Sequence, residues 1–281
     1  MKEKYRIGLV MKSLQAQFFQ VMQAGAVEYA ATFPDVELTC VGTDTQTEVE
    51  RQVELVRSLV TTPVDAIVLV PIDSKALVPP VIEAARAGIP VINIDIQLDG
   101  RLLATAGVSS AFVGPDNFTA AYLVGRKLAE TLCPGDAVCI LEGIVEADNA
   151  RQRKEGFLQA INERGLHLVA SASAHWETIE AATLYDDIAT QHPELKAVFA
   201  ANDAMALGTL QEMERRQRFL PIVGFDNDAA MKPYLQNGRL LATVDIFSAR
   251  LAIRGIEYAL AVLRGEKENH GVQATDFEVI G

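Results

Sequence analysis

Residues 66–94 read AIVLVPIDSKALVPPVIEAARAGIPVINI, two short apolar runs separated by a stretch with helical spacing. Ala66 to Val70 and Pro90 to Ile94 each predict a strand that is buried on both faces. The helical stripe between them consists of Leu77, Val81 and Ala85. Ser74 is a candidate N-cap for this helix. A strand, a helix and a second apolar strand in this order predict a parallel pair joined by a right-handed crossover.

The same alternation of strand and helix extends in both directions and begins again after Pro115. Before Pro115 the other predicted strands are Tyr5 to Val10 and Val36 to Cys40; after it they are Ala137 to Leu141, Leu166 to Ser171, Ala197 to Ala200, Pro221 to Phe225 and Leu240 to Val244. Helical patterns separate them. The sequence therefore predicts an α/β protein with two doubly wound, Rossmann-like lobes, each built on a parallel sheet.

The composition excludes several classes of protein. The chain has 281 residues, 49% of them hydrophobic, which is enough to bury two cores. Its net charge of −12 and the lack of a Lys/Arg block argue against nucleic acid as a partner. No apolar run reaches the length of a membrane helix. Residues Met1 to Val10 lack the apolar core and cleavage site of a secretory signal, so we expect none in this sequence.

The three cysteines and four histidines lack metal-ligand spacing, and we expect neither a metal nor a cofactor. Cys40 and Cys139 fall in predicted strands and are expected to be core residues. The sequence leaves open whether Cys133 and Cys139 form a disulfide. The sequence also lacks a GxSxG elbow, a GxxxxGK loop and a GxGxxG after the first strand, which argues against an enzyme.

Polar or aromatic residues follow the predicted strands at the points where the chain turns into a helix. They are Lys12, Phe18, Phe19, Asp95, Asn202, Asp226 and Asp245. In parallel α/β sheets the ligand site lies beyond the carboxyl ends of the strands. Carboxylates, amides and aromatic rings are also the groups that bind sugar hydroxyls and sugar C–H faces. These residues are therefore predicted to bind a small hydroxylated molecule.

Each assignment has a structural alternative. Asp95 ends an apolar strand, where a carboxylate is costly unless it accepts hydrogen bonds, and its alternative role is a helix cap. For Phe19 the alternative is ordinary packing at the start of a helix. In the second half we expect Asn202 and Asp226 to bind hydroxyls, with Asp203 and Asp228 capping the helices that follow.

Several segments together resemble the ribose-binding branch of the type I periplasmic sugar-binding proteins. They are Phe18-Phe19, Pro71 to Ser74 (PIDS), Gly88 to Ile92 (GIPVI), Arg151 to Phe157, Ala200 to Gly208 (AANDAMALG) and Val223 to Asp226 (VGFD). The resemblance covers essentially the whole chain. It implies two lobes joined by three crossovers that close around a monosaccharide and deliver it to an ABC permease. It also implies a periplasmic location, and we expect a monomer.

The resemblance further implies lobe boundaries and site residues. The N-terminal lobe would comprise residues 1–114 and 246–274, and the C-terminal lobe 115–245 and 275–281. Arg151 matches the family's sugar-contacting arginine, although an ion pair with Glu155 is its alternative. Trp176 corresponds to an aromatic ring of the ribose binders, with a structural surface role as its alternative.

Departures from the ribose pattern leave the ligand open. Lys12, Ala16, Ile96 and Ile246 replace polar pentose contacts of the ribose binders, and Asp245 stands beside Ile246. A second resemblance is to the receptors for the furanosyl signal autoinducer-2, with Asn149 only an approximate match; it rests on Lys12, Asp95, Asp148, Asn149 and the segment Met231 to Gly238 (MKPYLQNG). We therefore expect a monosaccharide or sugar alcohol as the ligand, with a furanosyl signal as the alternative.

Overall fold

The computed structural model describes residues 4–281, so the first three residues of the segment Met1 to Val10 lie outside the description. The described chain forms two compact units. Of the described residues, unit 1 consists of 4–115, 146–148 and 247–275, and unit 2 of 116–145, 149–246 and 276–281. The chain therefore passes from one unit to the other after Pro115, Ile246 and Thr275, with a short additional segment at residues 146–148.

Unit 1 is built on a six-stranded sheet in which every pairing is parallel. Its strands are β1 (Tyr5–Val10), β2 (Val36–Val41), β3 (Ala66–Leu69), β4 (Val91–Ile94), β5 (Phe112–Pro115) and β11 (Val272–Thr275), in the order β11-β5-β4-β3-β1-β2. Its helices are α1 (Gln17–Ala30), α2 (Val49–Val60), α3 (Val78–Arg86), α4 (Gly100–Thr105) and α10 (Ser248–Leu263).

The central strand β3 shows why both faces of this sheet are covered. Ile67 and Leu69 belong to the core that includes residues of α2 and α3. Val68 points the other way, where a Cβ on Gly255 of α10 would meet its side chain. Successive side chains of a strand alternate between faces, so a continuous apolar run needs helices on both sides.

Unit 2 repeats this architecture on a smaller sheet. Its parallel strands are β6 (Ala137–Glu142), β7 (His167–Ser173), β8 (Leu195–Ala200) and β9 (Ile222–Val223), in the order β7-β6-β8-β9. A separate antiparallel pair consists of β10 (Thr243–Asp245) and β12 (Glu278–Ile280). The helices are α5 (Asn117–Ala129), α6 (Asp148–Arg164), α7 (Thr178–Gln191), α8 (Asp203–Arg216) and α9 (Lys232–Gln236), with a 3-10 turn at Ala229–Met231.

The predicted α/β class with parallel sheets is confirmed. The prediction that Ser74 caps α3 is wrong, because the position before the helix is Leu77 and no side chain caps it. Asp73 Oδ1 instead accepts hydrogen bonds from the amides of Lys75 and Ala76, which forms a turn ahead of the helix. The Ser74 hydroxyl accepts a hydrogen bond from the amide of Asp148 at 3.0 Å.

The described cysteines are all free, so Cys133 and Cys139 form no bridge. Cys139 is buried and Cys40 is half-buried, as expected for strand residues, whereas Cys133 is exposed. Burial raises the pKa of the Cys139 thiol to about 12. Within residues 4–281, no helix combines the length and the apolar character needed to cross a membrane.

We expect Gly208→Ala to lower the unfolding free energy by about 2 to 3 kcal/mol. Helices α7 and α8 approach so closely that a Cβ on Gly208 would overlap the carbonyl oxygen of Thr178. Urea denaturation measures the change. Gly100→Ala is the matched control, because nothing lies within 4 Å of its added Cβ, and it should stay within about 0.5 kcal/mol of the parent. Equal midpoints for the two variants would contradict this account of the helix contact.

Candidate functional site

Unit 1 carries three of the predicted site residues in the loop and helix that follow β1. Lys12, Phe18 and Phe19 are all buried, with 3%, 8% and 3% of their surface exposed. The two rings meet edge to face at 5.0 Å between centroids, and Lys12 Nζ lies 5.6 Å from the centroid of Phe19. A cation against an aromatic ring is a favourable arrangement away from water. The loop therefore presents an ammonium group and an aromatic surface together.

Gln52 of α2 holds the ends of β1 and β3 in register. Its side chain is fully buried. Its amide nitrogen donates to the carbonyl oxygens of Met11 and Val70 at 3.1 and 2.8 Å, and its amide oxygen accepts from the amide of Ile72 at 2.7 Å. These bonds satisfy backbone groups that the strands leave unpaired where they end. Gln52 thereby fixes the backbone immediately before Lys12.

Asp95 follows β4 directly and is 3% exposed. Its backbone has φ 65°, a left-handed conformation that Asp tolerates better than most residues. Buried Asn93 braces this turn, because its side chain donates to the carbonyl oxygen of Ile96 at 2.6 Å and accepts from the amide of Leu98 at 2.8 Å. The turn is therefore held by side-chain hydrogen bonds rather than by the sheet alone.

Lys12 and Asp95 lie at the same edge of the unit 1 sheet. Strands β1 and β4 are parallel and are separated by β3 alone, so their ends are roughly 10 Å apart. The half-buried Asp148 belongs to the same unit through the bond from its amide to Ser74. Unit 1 thus gathers a lysine, two phenylalanines and carboxylates at one edge.

Unit 2 places a buried arginine at the centre of its own group, which we call the Arg153 cluster: Arg153, Asn117, Trp176, Phe225 and Asp226. The guanidinium donates to Asn117 Oδ1 at 2.9 Å and to the carbonyl oxygen of Ala201 at 2.8 Å. It lies 3.5 Å from Asp226 Oδ1, 3.6 Å from the Phe225 centroid and 5.5 Å from the Trp176 centroid. Planar stacking and forked donors are the properties that distinguish arginine from lysine.

Arg151 occupies a different face of α6. Its guanidinium forms an ion pair with Glu155 at 2.9 Å, and 55% of the side chain is exposed. This is the alternative that the sequence also allowed. Arg153 shares the buried stripe of the helix with Ala150 and Phe157, whereas Arg151 does not. The ligand role assigned to Arg151 remains a prediction, and the buried guanidinium of this helix is Arg153.

Trp176 is buried, with 2% exposed, and therefore does not lie on the surface of unit 2. Its backbone has φ 70°, and a Cβ on Gly143 would overlap its indole ring. Gly143 is thus needed for the ring to pack over the end of β6. The side-chain nitrogen of Asn202 faces the carbonyl oxygen of Trp176 at 3.4 Å. The end of β8 is thereby joined to the loop that holds the indole.

The predicted helix caps at the end of β8 and after β9 are wrong. Asn202 itself caps α8, because it is extended and its Oδ1 accepts a hydrogen bond from the amide of Met205 at 2.9 Å. Asp203 is the first helical residue and is fully buried. Asp228 precedes the 3-10 turn, but its side chain makes no capping bond. Asn202 is the N-cap because its backbone is extended. Asp203 is therefore already inside the helix, and its side chain is buried.

Asp226 and Asp245 come together at the end of β9 and β10. The amide of Asp226 donates to the carbonyl oxygen of Val244 at 2.7 Å. The side-chain nitrogen of Asn227 donates to Asp245 Oδ2 at 3.0 Å. The side chain of Asp226 is 10% exposed, and Asp245 is half-buried. The second unit therefore presents two carboxylates beside the amide of Asn202 and the ring of Trp176.

Sequence reasoning missed Arg153 and named Asn149 only through its resemblance to the autoinducer-2 receptors, although a second signal was present. Asn149 and Arg153 are one helical turn apart and fall on the stripe of α6 that contains Phe157. Asn149 is 4% exposed, and its Oδ1 has no hydrogen-bond partner within residues 4–281. A buried amide oxygen without a hydrogen-bond donor is costly, which favours a ligand-binding role. Counting the helical period would have favoured these residues over Arg151.

Two buried acids in unit 2 have unusual titration behaviour. Burial, followed by the nearby charge of Asp228, raises the pKa of Asp203 to about 8. Burial alone raises the pKa of Asp228 to about 6. At neutral pH Asp203 is therefore mainly protonated. Residues 4–281 contain no group of three or more His, Cys, Asp or Glu side chains that could hold a metal ion.

An α/β chain with polar and aromatic side chains buried at the carboxyl edges of parallel sheets has the features of a solute-binding protein. The chain belongs to the periplasmic binding protein family, since residues 7–267 match the periplasmic binding protein domain. This family consists of solute-binding transport proteins. The predicted resemblance to the ribose-binding branch is confirmed by a relative that is 42% identical and is named a D-ribose/D-allose-binding protein.

Three relatives illustrate the similarity. A D-ribose/D-allose-binding protein of Pseudomonas aeruginosa is 42% identical over 284 residues, which cover 99% of this chain and 89% of the relative. The crystal structure of an ABC transporter solute-binding protein from Burkholderia multivorans has a TM-score of 0.95 and 38% identity, with 99% of each chain covered. A periplasmic solute-binding protein from Actinobacillus succinogenes with bound D-allose has a TM-score of 0.91 and 35% identity, covering 99% of this chain and 97% of that one.

We expect Asp203→Asn to change how stability depends on pH. Between the unfolded pKa of about 4 and the folded pKa of about 8, the native state holds a proton that the unfolded state has lost. The unfolding free energy of the parent should therefore fall as pH rises through this range, by up to about 1.4 kcal/mol per pH unit from this group. In urea denaturation at pH 5.5, 6.5 and 7.5, the unfolding free energy of Asp203→Asn should rise relative to that of the parent as the pH rises. Parallel pH profiles would contradict a protonated Asp203.

Proposed function

We propose that this protein is the solute-binding component of a sugar ABC importer and binds a monosaccharide or sugar alcohol. The Arg153 cluster carries the proposal, because a buried guanidinium, a carboxylate, an amide and an indole gathered in one place suit a polyhydroxylated ring. Membership in the periplasmic binding protein family supports it. So does the relative named for ribose and allose.

The side chains divide the work of binding by their chemistry. Asp95 and Asp226 are acceptors for sugar hydroxyls, and Arg153, Lys12 and Asn149 can donate to them. Phe18, Phe19 and Trp176 offer apolar faces to the C–H groups of the ring. Charge-assisted hydrogen bonds formed away from water are stronger than those formed by neutral groups. Discrimination between sugars would come from hydroxyl positions that satisfy or leave unpaired these buried groups.

We propose that one conformation of the protein binds the sugar preferentially, and a hundredfold preference for it corresponds to roughly 2.7 kcal/mol. An ABC permease is the partner expected to recognise that conformation. We further propose a periplasmic location and a monomeric state, with lobes of residues 1–114 with 246–274 and 115–245 with 275–281.

The furanosyl signal is the less favoured ligand. It rested on the sequence resemblance of Lys12, Asp95, Asp148 and Asn149 to the autoinducer-2 receptors. The relative with 42% identity is named for ribose and allose, and the matching structure from Actinobacillus succinogenes holds D-allose. An aldopentose or aldohexose is therefore the first choice.

A thermal-shift screen over allose, ribose, other pentoses and hexoses, sugar alcohols and autoinducer-2 tests the proposed function. A ligand at a hundred times its Kd should add about 2.7 kcal/mol to the unfolding free energy and raise Tm. We expect allose or ribose among the hits. If no sugar or polyol raises Tm, the proposed function is wrong, and a response to autoinducer-2 alone would support the alternative.

Asp95→Asn should reduce the affinity for the sugar identified in this screen at least about tenfold, which corresponds to about 1.4 kcal/mol. Asn keeps the left-handed backbone of Asp95 without strain and replaces the charge with an amide. Isothermal titration calorimetry gives the Kd. Asp187→Asn makes the same chemical change at an exposed position of α7 and should leave Kd unchanged. If Asp95→Asn binds the sugar with the affinity of the parent, the Asp95 carboxylate does not contribute to sugar binding.

Arg153→Lys and Arg151→Ala separate the two arginines of α6. Lysine keeps the charge of Arg153 but loses the stacking on Phe225 and the fork of donors, so we expect sugar affinity to fall at least about tenfold. Arg151→Ala removes an exposed ion pair of small energetic value and should leave the affinity near that of the parent. The Kd values of the two variants, measured by calorimetry, show which arginine binds the sugar. The reverse result would restore Arg151 as the sugar-binding arginine.

A further inference from the structure

Asp203 is the fully buried carboxyl group of unit 2 to which the proposed function assigns no task. The residue is 0% exposed. Its Oδ1 is hydrogen-bonded to Thr243 Oγ1 at 2.8 Å, and its Oδ2 accepts from the amide of Asp228 at 2.9 Å. Its own amide donates to the carbonyl oxygen of Phe225 at 2.7 Å. One side chain and its backbone thus join three segments that are distant in sequence.

Each of these three segments carries a proposed sugar-binding residue close to the point of attachment. Asn202 precedes Asp203 directly at the start of α8. Asp226 lies between Phe225 and Asp228 in the loop after β9. Asp245 is two residues beyond Thr243 in β10. The distances between these three polar groups therefore depend on the bonds that Asp203 makes.

Thr243 extends the same network toward the carboxylates. Its hydroxyl also accepts a hydrogen bond from the amide of Asn227 at 3.3 Å. The side chain of Asn227 in turn donates to Asp245. Since Thr243 is fully buried, water does not compete for these bonds. The network reaches Asp245 through consecutive hydrogen bonds, and it holds the residues on either side of Asp226.

Gly224 shows how closely the carboxyl group is fitted. A Cβ on this glycine would overlap Asp203 Oδ1. Gly224 precedes Phe225 in the loop that leads to Asp226, and its added methyl group would push against the carboxyl that anchors this loop. The Asp203 carboxyl group therefore occupies the space that a side chain at residue 224 would need.

Burial and, after it, the nearby charge of Asp228 oppose ionisation of Asp203, whereas the hydrogen bonds from Thr243 and from the amide of Asp228 favour the ionised form. The pKa of Asp203, raised to about 8, agrees with a protonated group at neutral pH. An amide has nearly the same shape and can both donate and accept. Asparagine should therefore replace Asp203 without loss of the network.

We propose that Asp203 is a positioning residue for sugar binding, which holds Asn202, Asp226 and Asp245 at fixed spacing through its bonds to Thr243 and Asp228. The inference rests on the proposed function. It concerns affinity rather than stability alone, because a rigid arrangement of donors and acceptors is what a specific binding site requires.

Calorimetric titration of Asp203→Ala, Asp203→Asn and Gly224→Ala with the sugar found in the thermal-shift screen tests the proposal. We expect Asp203→Ala and Gly224→Ala to weaken binding at least about tenfold, and Asp203→Asn to stay within about threefold of the parent. Thr243→Val removes the hydroxyl at nearly constant volume and should weaken binding in the same direction. If Asp203→Ala does not fold, the Kd of Thr243→Val tests the proposal instead.

Thr209→Val is the matched structural control. This buried residue of α8 bonds to the carbonyl oxygen of Met205, so the variant loses a buried hydroxyl within the helix, away from the three segments. It should lower Tm and leave Kd unchanged. Parental affinity in folded Asp203→Ala or Thr243→Val would overturn the positioning role. So would a loss of affinity in Thr209→Val that matches its loss of Tm. If the parent binds no sugar in the screen, the proposed function fails, and this inference falls with it.

Discussion

Burial of charged groups at the carboxyl ends of parallel strands is the constraint on which the candidate site depends. Arg153 is 2% exposed, a position that would be costly for an unpaired guanidinium. Its partners come from α5, from the end of β8 and from the loop after β9, namely Asn117, the carbonyl oxygen of Ala201 and Asp226. All three lie where strands end or helices begin. Because the sheet is parallel, these termini occur at one edge, and that convergence makes the burial possible.

Buried amides and acids hold the loops that carry the residues proposed to contact the sugar. Gln52 and Asn93 in unit 1 satisfy backbone groups at the ends of β1, β3 and β4, which carry Lys12 and Asp95. Asp203 and Thr243 do so in unit 2. Loops at strand ends leave backbone groups without ladder partners, so a buried polar side chain both removes that cost and fixes the loop. Rigid loops of this kind keep hydroxyl-binding groups in place before a ligand arrives.

Some parts of the site could be predicted from the sequence and others could not. Asp95, Asn202 and Asp226 could be predicted as candidates because a polar residue directly after an apolar strand is a local pattern. Arg151 was predicted on resemblance, and Arg153 was not considered, although helical spacing places it on the stripe that contains Phe157. Asp203 was predicted as a cap, because Asp at a helix start is common, but the extended backbone of Asn202 makes Asn202 the cap.

The amino-acid pattern by itself determined the α/β class, the parallel sheets and the strand ends at which a ligand would be bound, because periodicity and strand burial are local properties of the chain. Only the tertiary structure decided which arginine is buried, which acid is protonated and which hydrogen bonds join Asn202, Asp226 and Asp245. Those outcomes depend on groups tens of residues apart in sequence that meet at one sheet edge. Desolvation and hydrogen-bond geometry arise only when the folded chain has brought them together.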